Sequence, residues 1–94
     1  MLDAATSLIL EVRKHDDLRH RWTLRRPNGR VVDEGVELLL ASCLTSATTG
    51  ADPKSRVGVT VDGFFAGDFS VARTQLESPA VALEIAQAML TQRT

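Results

Sequence analysis

Apolar and polar positions alternate with a period of two over residues 7–14, where Leu8, Leu10 and Val12 interleave with Ile9, Glu11 and Arg13. That period predicts a first strand. His15-Asp16-Asp17 reads as a turn, because aspartate accepts local backbone hydrogen bonds. A second strand follows over 19–26, with His20, Trp22 and Leu24 on one face and Arg19, Arg21, Thr23 and Arg25 on the other. Pro27-Asn28-Gly29-Arg30 predicts a hairpin turned by a two-residue Asn-Gly loop, and Val31-Val32 begins the return strand. Beyond Asp33-Glu34-Gly35 the period changes. Val36, Leu39, Leu40, Cys43, Leu44 and Ala47 form one apolar stripe at helical spacing, which predicts a helix over 36–48 with acidic residues at its positive end.

The stretch from Thr45 to Arg56 is small and polar and predicts the longest loop. Val57, Val59 and Val61 then alternate into a strand, Asp62-Gly63 gives a second hairpin signal, and residues 64–71 return, with Gly67 marking a bulge. In that pairing Phe65, Phe69 and Val71 share a face. Ser78-Pro79 predicts the start of the last helix, serine as N-cap and proline at the first helical position. Its buried face is Val81, Ala82, Ile85, Ala86, Met89 and Leu90, and Glu84, Gln87, Gln92 and Arg93 face water. The expected fold is α+β: one antiparallel sheet of about five strands in the order β-β-β-α-β-β-α, with two helices packed on one face.

At 94 residues, 1–94 make a single domain, large enough for one core. A hydrophobic share of 44% and a charged share of 24% are those of a globular chain and argue against disorder or a membrane protein. With a formal net charge of -1 the chain has no overall field to draw it to nucleic acid or anionic lipid. A lone cysteine, Cys43, excludes an intrachain disulfide. The first residues carry neither a basic nor a long apolar region, so a cytoplasmic location without membrane insertion is the expectation.

The segment from Leu10 to Gly35 resembles one repeat of the YegP-like family of small bacterial proteins. The resemblance rests on the alternating first strand, Arg21-Trp22-Thr23-Leu24, Asn28-Gly29, Val31-Val32 and a helix soon afterwards. Members of that family often carry two such repeats; this chain has no clean second copy. The resemblance implies an α+β domain that self-associates, and it assigns no catalytic residue.

Chemistry-bearing motifs are sparse. Neither phosphate-cradling glycine loop nor serine-hydrolase elbow occurs. His15, Asp16, Asp17 and His20 sit on a turn and a strand start with nothing placed to close a metal shell. Asp62 and Asp68 flank a hairpin and are explained by it. No catalytic residue, metal or cofactor is therefore expected, and three readings of function remain. The first is a non-catalytic interaction module, homodimeric through the apolar hairpin residues Val57, Val59, Phe64, Phe65 and Phe69. The second is a nucleic-acid-associated regulator using Arg19, Arg21 and Arg25, joined by Arg13. The third is a small-ligand carrier whose sheet–helix pocket is lined by His20, Trp22 and Cys43.

Overall fold

The structure, a computed structural model, describes residues 7–92. The expectations for residues 1–5 and for Arg93 lie outside them. The chain forms β1 (Ser7–Lys14), β2 (His20–Arg25), β3 (Val31–Glu37), α1 (Leu40–Thr48), β4 (Arg56–Val61), β5 (Phe64–Ser70), α2 (Val71–Leu76) and α3 (Ser78–Gln92). The expected α+β domain with one five-stranded sheet is what the chain builds. Two features correct the expectation. The sheet, in the order β3-β2-β1-β4-β5, is mixed and not antiparallel, because β4 pairs with β1 in parallel. Three helices form, not two, since residue 71 ends the return strand and starts a short helix of its own.

Parallel neighbours need a crossover, and here α1 supplies it. Its apolar stripe is kept from Leu40 onward, with Cys43, Leu44 and Ala47 buried. The helix starts later than the periodicity predicts. Residues 33–37 stay extended and pair with β2, Gly35 opposite Trp22 and Glu37 opposite His20. The backbone groups of β2 thereby gain partners that a helix from residue 36 would have denied them. As a result Val36 and Leu39 are exposed, and α1 has no acidic residue in its first turn.

Leu8, Leu10 and Val12 of β1 stand beside Val57, Val59 and Val61 of β4, and Leu10 and Val12 pair with Leu24 and Trp22 of β2. This is the buried face of the sheet, and the helices close over it. Burying each such valine or leucine contributes about 1.5–3 kcal/mol.

Both hairpins form, each with its own turn chemistry. Asp62 (φ 48°) and Gly63 (φ 85°) make the two-residue turn that was expected. Its position is locked to β1, since the Asp62 N–H donates to Val12 O at 2.8 Å and the Lys14 N–H donates to Asp62 Oδ1 at 2.9 Å. At Asn28-Gly29 the loop has three residues, not two. Arg26 N–H donates to Arg30 O at 2.9 Å and Gly29 N–H to Arg26 O at 2.8 Å, so Pro27 takes the second position of the turn and Gly29 (φ 90°) the left-handed one.

Residue 66 is the extra residue in the β4–β5 ladder, where pairing jumps from Thr60–Phe65 to Val59–Gly67. The bulge sits beside the glycine expected to mark it. It also moves Phe69 to the opposite face from Phe65: Phe69 pairs with buried Val57 and packs on the core, whereas Phe65 pairs with Thr60. Ser70 caps α2 by accepting from the Arg73 N–H at 3.1 Å. Ser78 does not cap α3; the first turn closes from Val81 N–H to Glu77 O at 3.0 Å, and the Ser78 hydroxyl bonds Thr45 of α1 at 2.7 Å.

Candidate functional site

With all three helices on one side, the other side of the sheet is bare. Register places Ile9, Glu11 and Arg13 of β1 there, with Arg21, Thr23 and Arg25 of β2, Glu34 and Val36 of β3, Arg56, Gly58 and Thr60 of β4, and Phe65 and Asp68 of β5. Three of the four arginines singled out from the sequence share this face, and Arg19 lies in the β1–β2 turn.

Each of the four already holds a carboxylate. Arg25 Nε donates to Glu11 Oε1 at 3.0 Å, and Arg13 approaches the other Glu11 oxygen at 3.7 Å. Arg21 donates to Glu34 at 2.7 Å across the β2–β3 ladder. Arg19 Nε donates to Asp16 Oδ2 at 2.9 Å, while the second Asp16 oxygen accepts the Leu18 and Arg19 N–H groups, each at 2.9 Å. The Arg19 guanidinium, followed by the Leu18 N–H, draws the Asp16 carboxyl down to about 2. Such exposed pairs stabilise little, ~0–1 kcal/mol each. Their larger effect is to cancel the positive field that a phosphate backbone would need.

Phe65 lies on the same bare face. It is 62% exposed, and its ring crosses the backbone of Gly58, where an added Cβ would stand 3.3 Å from Phe65 Cε1. Gly58 in turn pairs with Ile9, itself 38% exposed. Sequence reading grouped Phe65 with Phe69, and only the bulge separates them. Of the remaining candidates for a dimer interface, Val57 and Val59 are fully buried in the chain's own core, and Phe64 is half-buried opposite Val61.

His20, Trp22 and Cys43 all lie on the helix side. Trp22 and Cys43 belong to the core, and His20 is half-buried at its edge. Burial, with the Glu37 carboxylate adding to it, pushes the Cys43 thiol up to about 11. His20 Nδ1 and Trp22 Nε1 are buried without a hydrogen-bond partner in the protein. A hollow of about 290 Å³ does lie between sheet and helix, near the start of β1. Leu8, Leu24, Arg26, Asp33, Ala47 and Ser55 are among its lining residues, and the three predicted pocket residues are not.

Among the described residues, no group of three or more histidine, cysteine or acidic side chains converges as a metal site. No helix among them is long and apolar enough to cross a membrane. No family model, curated protein or solved structure matches the chain.

Proposed function

We propose that this protein is a non-catalytic interaction module that forms a homodimer through the bare face of its sheet. The observation that carries the reading is Phe65, a large aromatic held open on a sheet face that no helix covers. An exposed phenylalanine costs free energy in water and contributes it on association, because apolar area is worth about 25 cal/mol per Å² when removed from solvent. Ion pairs occupy other parts of the same face, which suits an interface whose margin is ordinarily polar. Those same ion pairs weigh against phosphate binding, since each arginine of the nucleic-acid reading is neutralised by a neighbour. Self-association is also what the YegP-like resemblance of residues 10–35 implies.

Sedimentation velocity across micromolar concentrations tests this. The dimer is the expected species, and Phe65→Glu is expected to yield a folded monomer, because the residue is 62% exposed and outside the core. A chain that is monomeric throughout, or a dimer indifferent to Phe65→Glu, overturns the proposal.

A further inference from the structure

The two edges of the sheet are not alike. Helices pack beside both edge strands, α2 and α3 on β5 and α1 on β3, but β5 is broken by the bulge at residue 66, with Gly67 at φ 145°. Bulging is one of the usual means by which an edge is made unfit for pairing. β3, at the opposite edge, has its irregularity at the hairpin end, where Leu24 pairs with Asp33 and Arg25 with Val31. From Asp33 to Glu37 it is regular.

Apolar side chains collect along this edge. Of the eleven large hydrophobic residues exposed among the described residues, six lie on it or at its end: Val31, Val32, Val36, Leu38, Leu39 and Leu18. Leu38 and Leu39 continue β3 directly. Leu18, 76% exposed, is held beside Leu38 by the Asp16 turn, and the two line one surface hollow. An edge strand with its outer side open thus runs into a leucine shelf.

The charge along the edge says what fits it. Asp33, Glu34 and Glu37 are acidic. Arg21 answers Glu34, whereas Asp33 and Glu37 have no cationic partner among the described residues. Antiparallel pairing with a second copy of β3 centred on Asp33, Glu34 or Gly35 would set carboxylate opposite carboxylate, and like charges directly opposite are destabilising; centred on Val36 it would set Glu34 and Asp33 opposite Leu38 and Leu39, giving neither acid a cation. A strand with the converse pattern meets no such conflict. The geometry points to β3 as a docking edge for an extended segment of another protein, added as a sixth strand, with basic residues opposite Asp33 and Glu37 and apolar residues opposite Val36, Leu38 and Leu39. Main-chain hydrogen bonds would supply the affinity and these side chains the selectivity. The site lies at the opposite edge of the sheet from Phe65, so either can fail without the other.

A synthetic heptapeptide tests it, in the order leucine, valine, lysine, valine, threonine, lysine, lysine, acetylated and amidated, titrated into the full chain and followed by amide shifts in NMR. Three controls accompany it: the same peptide with glutamate for lysine, the peptide with alternate backbone nitrogens methylated, and the chain carrying Asp33→Asn. The basic peptide is expected to bind with shifts concentrated on residues 33–39. The acidic peptide should bind at least about tenfold more weakly, given three reversed cross-strand pairs. Methylation should abolish binding by removing ladder donors, and Asp33→Asn should weaken it about two- to fivefold while leaving the spectrum otherwise native. Phe65→Glu should leave the affinity unchanged. No binding by about 1 mM peptide, equal binding of both charges, indifference to methylation, shifts centred on β5 around Phe65, or dilution-dependent shifts at 33–39 without peptide would each overturn the inference, the last by naming a second copy as the occupant.

Discussion

The indole of Trp22 lies on the backbone of Gly35, its cross-strand partner, so closely that a β-carbon at residue 35 would stand 2.8 Å from ring atoms Cε2, Cζ2 and Nε1. No real β-carbon sits that near a ring, so any side chain at residue 35 must displace the indole. Trp22 is buried against Val12 and α1's side of the core and has little room to yield. The glycine therefore serves packing, and the ring covers a stretch of edge strand that has no side chain of its own.

Gly35→Ala is accordingly expected to destabilise the fold by about 1–3 kcal/mol, the range for overpacking a filled core. Urea denaturation reads this directly. In a Trp22→Phe background the same change should cost less by about 1 kcal/mol or more, because the overlapping ring is gone and residues in contact are not additive. Gly29→Ala makes the contrast. No atom lies within 4 Å of a Cβ there, so its cost, about 1–2 kcal/mol, comes from a φ of +90° and should be the same in both backgrounds. Equal Gly35→Ala costs with and without the indole would show that the overlap is not the cause.

The β1–β2 turn has a built-in acid limit. Asp16 is held down to about 2 from an ordinary 3.8, first by the Arg19 guanidinium and then by the Leu18 N–H. A carboxylate with a depressed folded value contributes stability in full above its ordinary value and loses it as pH falls toward the folded one. Carboxyl NMR should therefore give an Asp16 midpoint near 2, and the Leu18 and Arg19 amide signals should move only as pH falls below 4 toward that midpoint. Arg19→Gln should raise the midpoint toward 3.8. A wild-type midpoint near 4 would mean that the pair does not form.

Cys43 sets the matching limit at the alkaline end. Its thiol is pushed up to about 11 by burial, with the Glu37 carboxylate adding to the shift. The unfolded thiol ionises first, near an ordinary value of ~8.5, so its contribution to stability is intact below that value and declines as pH rises toward 11. At pH 8 the native chain should react with a disulfide reagent only as fast as it opens, and in urea at once. The decline between pH 9 and 11 should be smaller in Cys43→Ala. Rapid labelling of the native thiol would show that residue 43 is not sealed.

Much of this architecture was legible along the chain because local chemistry writes it there. Asn28-Gly29 and Asp62-Gly63 turn ribbons wherever strands flank them, and Leu8, Leu10 and Val12 declare one buried face by their spacing alone. The bare arginine face of β2 was readable for the same reason. The pairing of Glu34 with Arg21 was not, because Glu34 reaches it only across the β2–β3 ladder.

Four features depended on contacts between distant residues. Alternation reveals which side of a strand is buried but not which strand lies beside it, so the parallel union of β1 with β4 required the crossover to be built. Residues 36–39 read as helix by periodicity and became strand and shelf because β2 needed a neighbour. The bulge at residue 66 sent Phe69 inward and left Phe65 outside, although the two are four residues apart in one ribbon. The last helix buries Val81 and Ile85 of its expected apolar stripe but leaves Ala86 and Leu90 exposed, and Ser78 turned its hydroxyl to Thr45. Turns and amphipathic stripes follow from a few consecutive residues; strand order, the faces set by a bulge and exposed edges follow from what the rest of the chain leaves unpaired.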